Sequence, residues 1–144
     1  MTTIHIYLNF NDKTEKAFKF YKSVFGGDFF MLQRYKDIPG DAKLSPADGE
    51  KILHIGLPIA EHTQLHGSDI VPGMSMGEPL KMGNNIAIMV SPDSRQEADR
   101  FFTELSEGGK NIMPMKDEFW GDYFGSFTDQ FGVEWMINFE QTSS

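Results

Sequence analysis

The stretch Phe119 to Asn138, FWGDYFGSFTDQFGVEWMIN, decides how the rest of the chain is read. Aromatic and glycine residues alternate through its first half, the pattern of an apolar pocket wall. Its second half, Asp129-Gln130-Phe131-Gly132 followed by Val133-Glu134-Trp135-Met136-Ile137-Asn138, reads as a tight turn feeding a strand, with Gly132 free to take a positive φ. Along that strand Val133, Trp135, Ile137 and Phe139 fall on one face and Glu134, Met136 and Asn138 on the other.

Outward from this hairpin the same grammar recurs. Asn111 to Lys116 and Tyr123 to Thr128 are strand candidates that precede the last strand. Before them Ser94 and Glu97 have capping-box spacing, Ala98, Phe101, Phe102 and Leu105 form an apolar helical stripe, and Gly108-Gly109 ends it. Asn85 to Val90 alternates Ile86, Ile88 and Val90 against Asn85, Ala87 and Met89, which predicts the strand that opens this half. The N-terminal half reads alike. Ile4, Ile6, Leu8 and Phe10 alternate with His5, Tyr7 and Asn9; Asp12 is placed to cap a helix with Ala17, Phe18, Tyr21, Val24 and Phe25 on one face; Gly26-Gly27 stops it. Strands are then predicted over Phe29 to Tyr35, Lys51 to Ile59 and Thr63 to Ile70.

The two halves thus share a β-α-β-β-β order at an offset of about eighty residues. This predicts an α+β fold of two βαβββ modules, each a curved, mostly antiparallel sheet around a cleft with a helix on its outer face. One domain of residues 1–144 is expected, with module 1 over about 1–70, a linker over 71–84 and module 2 over about 85–140. Lys36 to Glu50 reads as an exposed loop. The linker carries Met74, Met76 and Met82 among glycines and reads as a flexible connector, with a lid over a ligand as the alternative.

Composition excludes several function classes. A chain of 144 residues buries enough surface to fold without a staple, and the absence of cysteine removes disulfides, thiol nucleophiles and zinc-thiolate sites. Thirteen basic against twenty-one acidic side chains give a formal charge of −8, which repels phosphate backbones and anionic membranes. Neither nucleic acid nor membrane is expected as a partner. MTTIHIYLNF has no basic lead, and no uncharged run is long enough to span a bilayer, so a soluble, cytoplasmic protein is expected.

If the helices cover the oily faces, the polar faces look the other way. These carry His5, Tyr7 and Asn9, then His54, then Gln64 and His66, then Asn85 and Met89, then Glu134, Met136 and Asn138. A half-exposed sheet gives the same alternation, so solvent is the competing reading, and it is favoured for His66 beside its turn. His54, set among Ile52, Leu53, Ile55 and Leu57, is expected to be substantially buried and so to need a hydrogen-bond partner. His5, His54, His66 and Glu134 have the chemistry to hold a divalent cation, but no HxH or HExxH spacing draws two of them together. No glycine-flanked serine elbow points to a nucleophile, and no strand-turn-helix glycine motif points to a dinucleotide.

Tyr7-Leu8-Asn9-Phe10, Phe20 to Gly27, Ile52-Leu53-His54-Ile55, Gly67-Ser68-Asp69, Phe119-Trp120-Gly121 and Asp129 to Asn138 together resemble the PhnB-like branch of the vicinal-oxygen-chelate superfamily, the glyoxalase and bleomycin-resistance fold. This branch often carries the domain label 3-demethylubiquinone 3-methyltransferase. The resemblance implies paired βαβββ modules, clefts and a homodimer. Metal-dependent members place a His on the first strand, a Glu or His on the fourth, a His opening the second module and a Glu on the last strand. Here His5 takes the first place only with a one-residue insertion, Gln64 or His66 the second, Asn85 the third and Met136 the fourth. Two ligands are missing, so the usual metal site is not expected.

The resulting expectation is a homodimeric small-molecule binding protein without a cofactor. Its ligand is compact and partly aromatic or apolar, held by Tyr7, Phe119, Trp120, Phe124 and Met136 and oriented by His54, Asn85 and Asn138. The alternative is a lyase, isomerase or dioxygenase-type enzyme acting on a small oxygenated substrate. There His54 or Glu134 is the general base, with a divalent metal at a non-standard site drawn from His5, His54, His66 and Glu134. A purely structural or partner-binding role ranks last. Methyl transfer is not expected, because no glycine-rich loop followed by an acidic residue is present to hold S-adenosylmethionine.

Overall fold

Alternating apolar residues set the strands, and the strands pair in the same order in both halves. The computed structural model describes residues 1–39, 44–74 and 79–141. Its chain divides into two compact units, Met1–Lys81 and Met82–Ser144. In the first, β1 (Ile6–Phe10), β2 (Met31–Arg34), β3 (Ile52–Ala60) and β4 (Thr63–Asp69) form one sheet in the order β1-β4-β3-β2. In the second, β5 (Ile88–Val90), β6 (Lys110–Asp117), β7 (Asp122–Thr128) and β8 (Glu134–Glu140) form the other in the order β5-β8-β7-β6. The first strand of each unit lies parallel to the last, and the remaining pairs are antiparallel. These are two mixed four-stranded sheets, the α+β architecture expected of repeated modules.

Helix α1 (Thr14–Phe25) packs Ala17, Phe18 and Tyr21 at 0% exposure against the face of β3 and β4 that bears Ile55, Leu57 and Leu65. Gly67 belongs to that face: a Cβ there would stand 2.5 Å from Phe18 Cε1, so only glycine lets the ring seat on the strand. The helix does not begin as the sequence suggests. Asp12 does not cap it; Lys13 holds the N-cap position without a side-chain bond, and Asp12, at φ 63°, pairs with Lys51 instead. The free donors at the helix start are met from the end of β4, where Asp69 Oδ1 accepts from the Thr14 N–H and hydroxyl and Oδ2 from the Ile52 N–H. A cap supplied 55 positions away leaves no local signal.

Lys36 to Glu50 is more than a loop. Tyr35–Asp37 is a turn of 3-10 helix with Tyr35 buried, and α2 (Pro46–Glu50) is capped by Ser45 Oγ, which accepts from the Asp48 N–H; residues 40–43 lie outside the described residues. In the second unit, α3 (Arg95–Ser106) starts as expected, with Ser94 Oγ accepting from the Glu97 N–H, and buries Ala98, Phe101 and Leu105. Asp129 fixes the β7–β8 turn: its carboxylate accepts from the Phe131 and Val133 N–H groups and from Trp135 Nε1, while Gly132 takes φ 92°. Three strand expectations contract, that over Phe29 to Tyr35 to Met31–Arg34. Ile4 is 79% exposed before β1, and β5 begins at Ile88, leaving Ile86 at 76% and Asn85 off the strand. Of the linker methionines Met74 and Met82 are exposed, and Met76 lies outside the described residues.

Candidate functional site

In the first unit the face turned away from α1 carries Tyr7, His66, Gly56 and Met31 side by side across β1, β4, β3 and β2. Gln33 stands beside His54, and Asn9 beside Ser68, whose hydroxyl donates to Asn9 Oδ1. Strand alternation alone puts these residues on one surface. His54 Nε2 and His66 Nδ1 are 2.8 Å apart, and His66 Nε2 is 2.9 Å from Gln64 Oε1. An amide oxygen only accepts, so with Gln64 in this orientation His66 carries its proton on Nε2 and its Nδ1 accepts from the His54 Nε2–H. His54 Nδ1 is then a bare lone pair. Neither it nor the Tyr7 hydroxyl has a hydrogen-bond partner among the described residues.

Aromatic rings fence the pair. Tyr7 stacks on His54 and His66 at centroid distances of 5.7 and 6.1 Å, and Phe30 meets His66 edge-on at 5.5 Å. Gly56 makes room for Phe30, whose Cζ would lie 2.2 Å from a Cβ at that position. The His66 imidazole is held below its usual value, first by burial and then by the neighbouring His54 and His5, so it is neutral at neutral pH. His66 is therefore half-buried and doubly hydrogen-bonded, not the solvent-facing side chain expected beside its turn. His54, expected to be substantially buried, is likewise half-buried.

In the second unit the corresponding face bears a different chemistry. Met89, Met136, Ser126 and Met113 form the row across β5, β8, β7 and β6. Phe124 lies beside Asn138, and Thr128 beside Glu134. Asn138 Nδ2 and Trp120 Nε1 both donate to Asp122 Oδ2, at 3.1 and 3.2 Å. Phe119 and Trp120 occupy the turn between β6 and β7, where they are 96% and 54% exposed and meet edge to face. In this single chain they form an exposed surface pair.

The structure thus brings His5, Tyr7, His54 and His66 together in the first unit and puts Phe124, Glu134, Met136 and Asn138 on one face in the second. Asn85 and Phe119 stand outside the strands and are exposed. Sequence reasoning missed Phe30, Asp122 and Thr128 as members of these surfaces. Gly56 was the available signal for Phe30, since a lone glycine inside a strand marks a close approach.

The donor set at the family's metal positions does not fit a hard divalent ion. His5 spends both ring nitrogens, Nδ1 accepting from the Gln64 N–H at 3.0 Å and Nε2 lying 3.0 Å from Thr3 Oγ1, and Met136 offers a thioether. Among the described residues no three His, Asp or Glu side chains are grouped to hold a metal. None of their helices is long and apolar enough to cross a membrane.

Comparison with known proteins agrees with this architecture. Protein PA1353 from Pseudomonas aeruginosa is 35% identical, the match covering 99% of this chain and 100% of that one at a TM-score of 0.83. The PhnB protein from Bacillus cereus is 23% identical over 96% of this chain and 99% of its own at 0.71. A glyoxylase/bleomycin resistance protein/dioxygenase domain from Frankia sp. EAN1pec shares the fold at 10% identity and a TM-score of 0.66, over 100% of this chain and 95% of its own. The model of the family described as 3-demethylubiquinone-9 3-methyltransferase matches residues 2–138, and the chain belongs to that family, with a fold shared with glyoxalase and bleomycin-resistance proteins.

Proposed function

We propose that the protein is a small-molecule binding protein whose ligand, a compact aromatic carrying a hydroxyl, docks on the Tyr7, His54 and His66 face of the first unit. The observation that carries this reading is the pair of unspent polar tips, His54 Nδ1 and the Tyr7 hydroxyl, set among stacked rings. Such a surface, mostly aromatic with few oriented polar atoms, matches what small-ligand sites require. A ligand hydroxyl donates to Nδ1, whose tautomer is held by His66 and Gln64. On the second unit, taken by itself, Phe124, Met136 and Asn138, with Asn85, Phe119 and Trp120, are assigned as a separate ligand-contact surface. The protein acts as a homodimer; apolar side chains as exposed as Ile4, Ile86, Met113 and Phe119 support that assembly. Methyl transfer is not part of this reading, since the turns that lead from β1 into α1 and from β5 into α3 carry no glycine to hold a nucleotide-like methyl donor.

The test is titration with 4-methylphenol followed by histidine ring signals in NMR. Saturable shifts of His54 and His66, weakened about 2- to 10-fold by Tyr7→Phe and further by His54→Ala, are expected from the loss of neutral hydrogen bonds. Equal binding of toluene, or shifts unaffected by both variants, would dispose of the assignment.

The bare Nδ1 favours one second reading, general-base catalysis. A proton taken there makes an imidazolium whose Nε2–H bond to His66 shortens and strengthens. Deuterium exchange at the carbon next to the carbonyl of hydroxyacetone should then be catalysed and lost in His54→Ala; exchange no faster than with the variant ends this reading.

A further inference from the structure

A second surface, wholly within residues 82–144, carries its own chemistry. Where β7 passes into β8 lies an open groove of about 600 Å³, with Thr128 at its base and Met82, Lys110, Asn111, Phe131 and Glu134 around it. Thr128 is 3% exposed, and its hydroxyl works in both directions: it accepts from Asn111 Nδ2 at 3.2 Å and donates to Glu134 Oε1 at 2.8 Å. A hydroxyl has one proton to give, so the relay from Asn111 through Thr128 orients the Glu134 carboxylate and commits one oxygen. Among the described residues the other oxygen has no partner, and no cation stands within ion-pair distance of Glu134.

Across the same base stands the opposite charge. Lys110 on β6 and Glu134 on β8 are both register partners of Thr128, one on each side. Two strand spacings separate them, roughly 10 Å between Cα atoms, and Lys110 too forms no ion pair among the described residues. Between the charges lies the Thr128 hydroxyl, already spent on Asn111 and Glu134, and apolar surface stands beside it on the same groove. Gly132, at φ 92°, lets the Met82 methyl lie over the turn, where a Cβ would stand 2.8 Å from Met82 Cε, and Phe131 adds a ring. Thioether and ring suit a short hydrocarbon body of variable shape.

We propose that this groove binds a compact zwitterion, with its ammonium on Glu134, its carboxylate on Lys110 and its carbon chain against Met82 and Phe131. The site is independent of the first unit's histidines and so stands or falls apart from the reading above. Two unpaired opposite charges two strand spacings apart select against any ligand carrying only one of them, because the remaining protein charge then loses its partner.

The experiment is calorimetric titration of the full chain with 5-aminopentanoate, pentylamine and pentanoate. The zwitterion should bind saturably and about tenfold or more tightly than either single-charge probe, since each end adds a charged hydrogen bond. Glu134→Gln and Lys110→Met should each lower zwitterion affinity about tenfold and bring it level with the matching single-charge probe. No saturable binding, equal affinity for the zwitterion and either single-charge probe, or a Lys110→Met variant that binds as the parent does overturns the assignment. Lys110 is exposed, so its replacement leaves packing intact, and the three-probe comparison on the parent protein decides the matter even where Glu134→Gln folds poorly.

Discussion

Replacing Asp69 by asparagine should destabilise the first unit by about 2–3 kcal/mol, an amount that follows from counting donors. Asp69 is 3% exposed and answers three of them: the Thr14 N–H at 3.2 Å and hydroxyl at 2.7 Å on Oδ1, and the Ile52 N–H at 2.8 Å on Oδ2. Asparagine keeps the shape but turns one oxygen into an NH₂. With the amide oxygen at the Oδ1 position the Ile52 N–H faces another donor; flipped, the Thr14 N–H does. One buried backbone donor is orphaned in either case, at a cost of about 1–3 kcal/mol, and the surviving bonds fall from charged to neutral strength. The smaller desolvation cost of a neutral amide offsets part of this, but it does not supply the missing acceptor.

Urea unfolding followed by far-ultraviolet circular dichroism reads the effect. With a slope of about 1–3 kcal/mol per molar, a 2–3 kcal/mol loss moves the midpoint down by about 1–2 M. The consequence reaches the candidate site, because β3 begins at Ile52, two residues before His54, and β4 ends at Asp69, three after His66. Loosening that end should weaken the His54–His66 hydrogen bond, seen as faster exchange of its ring proton. A midpoint within about 0.3 M of the parent's would refute the argument, since the orphaned donor would then cost nothing.

Three further outcomes follow from particular contacts. Gly67→Ala sets a methyl 2.5 Å from Phe18 Cε1 and 3.2 Å from the Leu8 carbonyl oxygen, and should cost about 1–3 kcal/mol by overpacking; an unchanged midpoint would mean that α1 lifts freely from β4. Asp129→Asn in the second unit strips the Phe131 and Val133 N–H groups or the Trp135 indole of an acceptor, so unfolding monitored by tryptophan fluorescence should shift by about 1–3 kcal/mol, with no shift if water replaces the bond. His66 should make stability pH-dependent. Its folded-state value lies below the unfolded one, so the unfolded chain binds the proton more readily, and stability is full above the unfolded value near 6.5 and declines as pH falls through it; His66→Asn should flatten that slope, and an unchanged slope would place the dependence elsewhere.

The strands and helices were legible because each half repeats one pattern of alternation and stripe, and because Gly26, Gly108 and Gly132 take the positive φ that their places in the sequence require. The helix start at Thr14 was not, since its cap comes from Asp69 through the tertiary fold. Ile4 and Ile86 show the limit of alternation: the pattern continues upstream of Ile6 and Ile88, where pairing with β4 and β8 begins, and both side chains are exposed. The histidines were individually visible, but the pairing of His54 with His66 depends on strand register, which a sequence with a bulge in β3 does not state. Trp120 was read as a wall by composition. Placed in the turn after β6, it bonds Asp122 instead.

The two units also show what a repeated fold preserves. On the helix side both keep bulky apolar residues where the strands cross the helix, Phe18 against β4 in one and Phe102 against Phe127 in the other, because packing there leaves little freedom. On the open side three of the four corresponding strand positions differ, Tyr7, His66 and Gly56 against Met89, Met136 and Ser126, and only the outer strands match, Met31 against Met113. Nothing in folding demands imidazole in one row and thioether in the other, since both surfaces are solvated and both sheets form. The difference therefore lies outside what stability explains, and it is the reason to look for ligands on these faces: one row can take or give a proton, while the other adapts to an apolar shape.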